Sequence, residues 1–294
     1  MLRVYSLLLL AALFTACKKE KIVATDVVPN PSDTLSHYNP AKSYDLKNLK
    51  YGTDSKQILD AYLPANRGSS TKVFVLIHGG GWSAGSKEDF QHFYNGLKQT
   101  YPDCAIINIA YRLGTANSPG YPKQINDIDA ALKFMQHANF SISKNYCLIG
   151  NSAGGHLSML YGYAFDTEHT VKAIINTVGP ADFTDTAYIN NIIYEYALTS
   201  LVGNVTYSQN PLLYKEVSPA LRVSSTSPPT ISFYGDQDPL VPSTQVTLLH
   251  DQLDAHGIYN EWTLYTGEGH GTWNQTNAND SQNKIINFIQ NHFL

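Results

Sequence analysis

From Gln57 onward, short apolar runs alternate with stretches of 3.6-residue periodicity. Lys72 to His78 (KVFVLIH) and Cys104 to Tyr111 (CAIINIAY) are β-branched, apolar on successive residues, and bounded by turn formers. Such runs suit strands buried on both faces rather than on one. Gln57 to Leu63, Tyr146 to Gly150, Val171 to Val178, Thr230 to Tyr234 and Glu261 to Tyr265 are predicted as further strands. Between them, helices are predicted over Glu88 to Thr100, Pro122 to Ala138, Ser152 to Phe165 and Ser281 to Phe293. Ile125, Ile128, Leu132 and Met135 fall on one helical face, and Val246, Leu249 and Leu253 mark another. Regular strand–helix alternation predicts one α/β domain, with a mostly parallel sheet covered by helices on both faces. Residues 181–221 break the alternation with a long aromatic segment carrying Tyr188, Tyr194, Tyr196, Tyr207 and Tyr214. That length is unusual for a connection. It reads either as a cap over a site or as a surface excursion with a small core of its own.

The first residues follow another pattern. Arg3 precedes an apolar run, Val4 to Phe14, interrupted only by Tyr5 and Ser6. The run is short of the roughly 20 residues that span a bilayer and has the length of a signal-peptide core. Thr15, Ala16 and Cys17 then give way to Lys18, Lys19 and Glu20. Small residues before a lone Cys resemble a bacterial lipoprotein lipobox. That resemblance implies a signal peptide over residues 1–16, a lipidated Cys17, export, and anchoring to a cell-envelope membrane, the outer membrane being expected. Residues 17–40 are polar, with Pro29 and Pro31, and read as a tether. A flexible chain from Lys18 to Tyr38 spans roughly 25 Å.

Composition narrows the function classes. Of 294 residues, 43% are hydrophobic and 15% charged, and the formal net charge is −4. That apolar content builds a core, and that charge gives no footprint for nucleic acid. Three Cys cannot form a disulfide framework. No H-E-x-x-H or C-x-x-C spacing occurs, so no metal is expected. No cofactor is expected either, and the chain leaves its oligomeric state open.

Two glycine-rich motifs carry chemistry. Gly150-Asn151-Ser152-Ala153-Gly154 follows a predicted strand and opens a predicted helix. G-x-S-x-G in that setting is the nucleophile elbow, whose tight turn demands small residues beside the Ser. His78-Gly79-Gly80-Gly81-Trp82 follows another buried run. Glycines there let backbone N–H groups face a substrate, and HGGG after a strand is an oxyanion-hole motif. The donors expected are the N–H groups of Gly80, Gly81 and Ala153, with Trp82 as a substrate contact.

Together these motifs resemble the hormone-sensitive-lipase-like and feruloyl-esterase-like branch of the α/β-hydrolases. Tyr111-Arg112-Leu113, Gly235 to Pro242 and Gly267-Glu268-Gly269-His270-Gly271 resemble its segment after the fourth strand, its acid-bearing turn and its histidine loop. Asn151 stands where that branch commonly carries an acid. The resemblance implies an α/β-hydrolase fold and a triad of Ser152, Asp238 and His270, in the chain order of that fold. Asp236 competes with Asp238. The family's turn places the acid before Pro-x-Val-Pro, which favours Asp238 and leaves Asp236 a turn or capping role. His78 and His156 are expected to be structural. Cys104 and Cys147 fall on strands that the fold separates by a third, so they are expected as buried thiols.

The activity implied is a serine carboxylesterase acting on short-chain or aryl esters, acetyl or feruloyl in type, including esters on glycans. Two alternatives use the same residues differently: an amide hydrolase (aryl-formamidase or peptidase) on the same triad, and a binding protein on an inactive hydrolase fold.

Overall fold

A computed structural model describes residues 38–189 and 191–294 of the protein. The expected signal peptide, Cys17 and the expected tether up to residue 37 lie outside the described residues. Tyr38 to Pro40, assigned to the tether from sequence, are held on the domain instead. Tyr38 stacks on Phe140 with centroids 5.5 Å apart. The buried Arg67 guanidinium donates to the carbonyls of Tyr38 at 2.6 Å and Asn39 at 3.3 Å.

Eight strands form one sheet: β1 (Tyr44–Lys50), β2 (Ile58–Leu63), β3 (Val73–Ile77), β4 (Ala105–Ile109), β5 (Tyr146–Asn151), β6 (Val171–Thr177), β7 (Thr230–Gly235) and β8 (Asn260–Tyr265). Their order is β1-β2-β4-β3-β5-β6-β7-β8. β2 is antiparallel to both neighbours, and β3 to β8 run parallel. β1 was not predicted. A register shift between Leu46 and Leu49, with Asn48 at φ +55°, puts both leucines in the core three residues apart. Such a bulge breaks the two-residue alternation that identifies a strand.

The helices are α1 (Gln91–Thr100), α2 (Lys123–Met135), α3 (Ala153–Ala164), α4 (Ile192–Val202), α5 (Pro211–Glu216), α6 (Thr244–Ala255) and α7 (Gln275–His292). Strand side chains alternate between two cores. Val73, Val75 and Ile77 join α2 and α3 on one face. Phe74 and Leu76 join Tyr94 of α1 and Phe288 and Ile289 of α7 on the other. This two-sided burial explains why VFVLI, Val73 to Ile77, is apolar at every position. It is the α/β-hydrolase fold expected from the sequence.

Two helical expectations are corrected. α7 starts at Gln275, six residues before Ser281, because its first turns are polar and carry no apolar stripe. The Asn274 side chain accepts from the Asn277 N–H at 3.0 Å and starts the helix there. The segment 181–221 contains α4 and α5, neither of which was predicted. IIYEYALTSLV in α4 is apolar around most of its circumference, so no helical period stands out.

β3 lies between β4 and β5, which keeps Cys104 and Cys147 apart; both are free and buried. Burial pushes the Cys104 thiol up to about 11. Asp127, fully buried on α2, accepts from Arg112 Nε at 3.0 Å and Nη2 at 2.5 Å, and from the Arg112 N–H at 2.8 Å. It pins the chain where it leaves β4.

Candidate active site

The parallel strands end at one edge of the sheet, where ligands of open α/β sheets bind. The loops after β3, β5, β7 and β8 converge there. Ser152 follows β5 at φ +54°, ψ −122°, a conformation that costs about 1–3 kcal/mol and persists only when its surroundings impose it. Here the Ser152 N–H donates to Thr177 O of β6 at 2.8 Å, and Ser152 O accepts from the His156 N–H at 3.0 Å. The flanking glycines are obligatory. A Cβ on Gly150 would lie 2.2 Å from Gly154 O, and one on Gly154 would lie 1.9 Å from Ile77 O.

His270, in the loop after β8, faces Ser152. Its Nε2 is 2.8 Å from Ser152 Oγ, and its Nδ1 is 2.7 Å from Asp238 Oδ2. A carboxylate oxygen accepts, which assigns the proton to Nδ1 and leaves Nε2 as the acceptor for the Ser152 hydroxyl. The Asp238 side chain is 1% exposed. Its Oδ1 accepts from the backbone N–H groups of Leu240 at 2.8 Å and Val241 at 3.0 Å. Both carboxylate oxygens are thereby fixed.

Asp236 does not touch His270 Nδ1. Its Oδ1 accepts from the Gly267 N–H at 2.7 Å and ties the acid turn to the histidine loop. Sequence reasoning passed over Glu268. It is buried, and its Oε1 accepts from the Asn274 N–H at 3.0 Å and Asn277 Nδ2 at 2.7 Å, fastening the loop to the start of α7. Its place inside Gly-Glu-Gly-His was the available signal.

The loop after β3, expected from its sequence to supply oxyanion donors, has three consecutive residues on the left-handed side: Gly80 (φ +114°), Gly81 (φ +55°) and Trp82 (φ +61°). Among the described residues, the N–H groups of Gly80 and Gly81 donate no hydrogen bond. The Ala153 N–H opens α3, where N–H groups have no partner within the helix. His78 is structural: its Nδ1 donates to Gly79 O at 2.7 Å, and its ring stacks on Tyr111 at 4.2 Å. Tyr111 Oη in turn donates to His78 O at 2.7 Å. Asn151 lies between loops, its Nδ2 3.1 Å from where a Cβ on Gly271 would stand.

A cavity of about 130 Å³ opens on Ser152 and His270. Gly81 and Trp82 form one wall, and Leu240 and Val241 line it beside the acid turn. Pro180 and the 181–221 segment supply the rest, the segment through Phe183, Tyr188, Tyr194, Ala197 and Leu198. Tyr194 Oη donates to Pro239 O at 3.1 Å and joins that segment to the acid turn. The aromatic segment therefore forms part of the site wall. Another cavity, of about 120 Å³, lies on the other face between α1 and α7, and neither Ser152 nor His270 lines it. Among the described residues, no cluster of three or more His, Cys, Asp or Glu is arranged to hold a metal ion.

The family model BD-FAE matches residues 59–253. The chain belongs to the BD-FAE family. The match runs from β2 into α6, so it includes Ser152 and Asp238, while His270 lies beyond it. The chain is 25% identical over 244 residues to esterase LipC of Mycobacterium tuberculosis, covering 76% of this chain and 59% of that protein. It thus spans little more than half of that relative's length. Among solved structures, the bifunctional GH43-CE protein of Bacteroides eggerthii matches with a TM-score of 0.69 at 24% identity, over 86% of this chain and 38% of the other. A truncated carbohydrate esterase from gut microbiota matches with a TM-score of 0.69 at 22% identity, over 85% and 98%. Both likenesses establish the shared fold.

Two buried histidines give this BD-FAE domain a pH dependence of stability. Burial lowers His156 and His250 from the ordinary 6.5 to about 4. The unfolded chain then binds protons that the folded chain refuses, so stability is full above pH 6.5 and falls toward pH 4. Between pH 6.5 and 5 the two together should remove about 3 kcal/mol. Urea unfolding at half-unit pH steps measures it; a flat profile over that interval would exclude the effect.

Proposed function

We propose that the protein is a serine carboxylesterase acting on short-chain or aryl esters, with esters carried on glycans as natural substrates. One observation carries the reading: the unbroken relay from Ser152 Oγ through His270 to Asp238, with links of 2.8 and 2.7 Å. LipC, an esterase, and the two carbohydrate-active neighbours support it.

In this reading Ser152 Oγ attacks the acyl carbon while its proton passes to His270 Nε2. The N–H groups of Gly80, Gly81 and Ala153 hold the developing oxyanion, each worth about 2.7–4 kcal/mol. Collapse breaks the bond to the alcohol oxygen, and His270 Nε2 returns the proton to the leaving alcohol. Water then gives a proton to His270 and attacks the acyl carbon. The bond to Ser152 breaks, the acid leaves, and Ser152 regains its proton.

Cavity size sets the acyl range. An apolar cavity of about 150 Å³ admits benzene, so about 130 Å³ takes an acetyl-to-butyryl chain or a single ring. A nitrophenyl ester series should give kcat/KM at least about 10-fold higher for acetyl to butyryl than for octanoyl. Methyl cinnamates and acetylated xylo-oligosaccharides extend the panel to aryl and glycan esters. Matched aminoacyl and formyl amides belong in the same assay, and amide rates equal to ester rates would replace the esterase reading with an amidase.

Export and anchoring through Cys17 form the second part of the proposal, resting on the N-terminal pattern. Among the described residues no helix is long and apolar enough to cross a membrane. Mass spectrometry of the mature N-terminus tests it: an acylated Cys17 is expected, and an unmodified thiol would refute it.

A further inference from the structure

The oxyanion loop holds a bulky residue, Trp82, at φ +61°. For a residue with a Cβ this region costs about 1–2 kcal/mol, so something must hold it there. Its carbonyl accepts from the Gly114 N–H and from Gln124 Nε2, each at 2.7 Å. Its side chain has a third fixing point: the indole Nε1 donates to His156 Nδ1 at 3.1 Å. The two rings meet edge to face, with centroids 5.3 Å apart.

His156 is wholly buried on α3, one turn beyond the nucleophile. Its other nitrogen, Nε2, lies 2.8 Å from Val217 O, at the end of α5 in the 181–221 segment. A carbonyl only accepts and an indole N–H only donates. Both contacts are satisfied by one species alone: neutral imidazole with the proton on Nε2. Burial favours that species and lowers the ring to about 4. His156 also touches Phe183, with centroids 5.2 Å apart, and Phe183 lines the cavity.

We propose that His156 is a positioning residue for the oxyanion hole: through the Trp82 indole it holds Gly80 and Gly81 in their left-handed geometry, and through Val217 it ties that loop to the segment lining the substrate cavity. His156 touches neither Ser152 Oγ nor substrate in this scheme. It acts on donors that matter most in the transition state, so its loss appears in kcat more than in KM. The inference rests on the esterase reading.

The test separates the two hydrogen bonds. Asparagine places an oxygen where Nδ1 stands and keeps the Trp82 acceptor. Glutamine places an amide nitrogen where Nε2 stands and keeps the Val217 donor. His156→Phe fills the space with neither. Nitrophenyl acetate kinetics on the full chain should show kcat down roughly 10- to 100-fold in His156→Phe, the scale of a misplacement of about 1 Å, with a smaller change in KM. His156→Asn should recover most of kcat and His156→Gln should not. Trp82→Phe should match His156→Phe, and the double variant should be no slower than the slower single, since both remove one link. Equal rates in the Asn and Gln variants, multiplying losses in the double variant, or wild-type kcat in a folded His156→Phe protein would each overturn it. If His156→Phe does not fold, the Asn, Gln and Trp82→Phe proteins decide the matter. An intact wild-type protein without turnover would refute the esterase reading and this inference with it. Wild-type turnover with indifferent variants removes only the inference.

Discussion

Ser152→Ala is expected to lower kcat for a nitrophenyl ester by about 10⁵- to 10⁶-fold while leaving the fold intact. The Ser152 Oγ contact with His270 Nε2 is the only hydrogen bond of that side chain among the described residues. The elbow itself is held by backbone bonds to Thr177 and His156, which alanine retains. Alanine tolerates φ +54° no better and no worse than serine, so thermal stability should change by less than about 1 kcal/mol. The N–H groups of Gly80, Gly81 and Ala153 remain, and on the proposed mechanism turnover above the uncatalysed rate should persist at roughly 10³- to 10⁴-fold. A phosphonate probe reports the same residue by labelling, which should vanish in the variant. Retention of more than a hundredth of wild-type kcat would place the nucleophile elsewhere.

What the sequence revealed follows from where information is local. β3, β4 and β5 were legible because burial on both faces writes a nearly continuous apolar run, broken within β4 only by the buried Asn108. β1 was not, because its bulge at Asn48 shifts Leu49 out of alternation with Leu46. α4 was hidden by uniform apolarity and the start of α7 by uniform polarity; each lacks the stripe that marks a helix. The site divides in the same way. Ser152, His270 and the glycine donors sit inside motifs of five or six residues, and each motif carries its own steric logic. The contacts that support them do not. His156 is 61 residues from Val217 and 74 from Trp82. The sequence marked His156 as structural without showing which loops it joins. The aromatic segment was visible, but cap and surface excursion stayed equal until Phe183, Tyr188 and Tyr194 were seen to line the cavity. Asp236 and Asp238 lie two residues apart in a turn, and only the direction of their carboxylates separates them.

That direction yields the second large effect: Asp238→Asn should lower kcat by about 10⁴-fold, and Asp236→Asn by less than about 10-fold. At Asp238 the Leu240 and Val241 N–H groups already claim Oδ1. An asparagine there must turn its oxygen toward those two donors and its NH₂ toward His270 Nδ1. The imidazole can meet that NH₂ only as an acceptor, so its proton moves to Nε2. It then faces Ser152 Oγ as a donor and cannot take the hydroxyl proton. The geometry survives and the chemistry stops, so the loss falls on kcat with KM nearly unchanged. At Asp236 the donors to Oδ1 are the Gly267 N–H and Gln237 Nε2, from which the oxygen of asparagine accepts as well as a carboxylate does. Asp236→Ala removes that acceptor, loosens the histidine loop, and should cost about 10-fold. The ratio of the two Asn variants is the decisive quantity, because both remove one negative charge from the same turn. A ratio near one would mean that charge, not the His270 tautomer, is what the acid supplies.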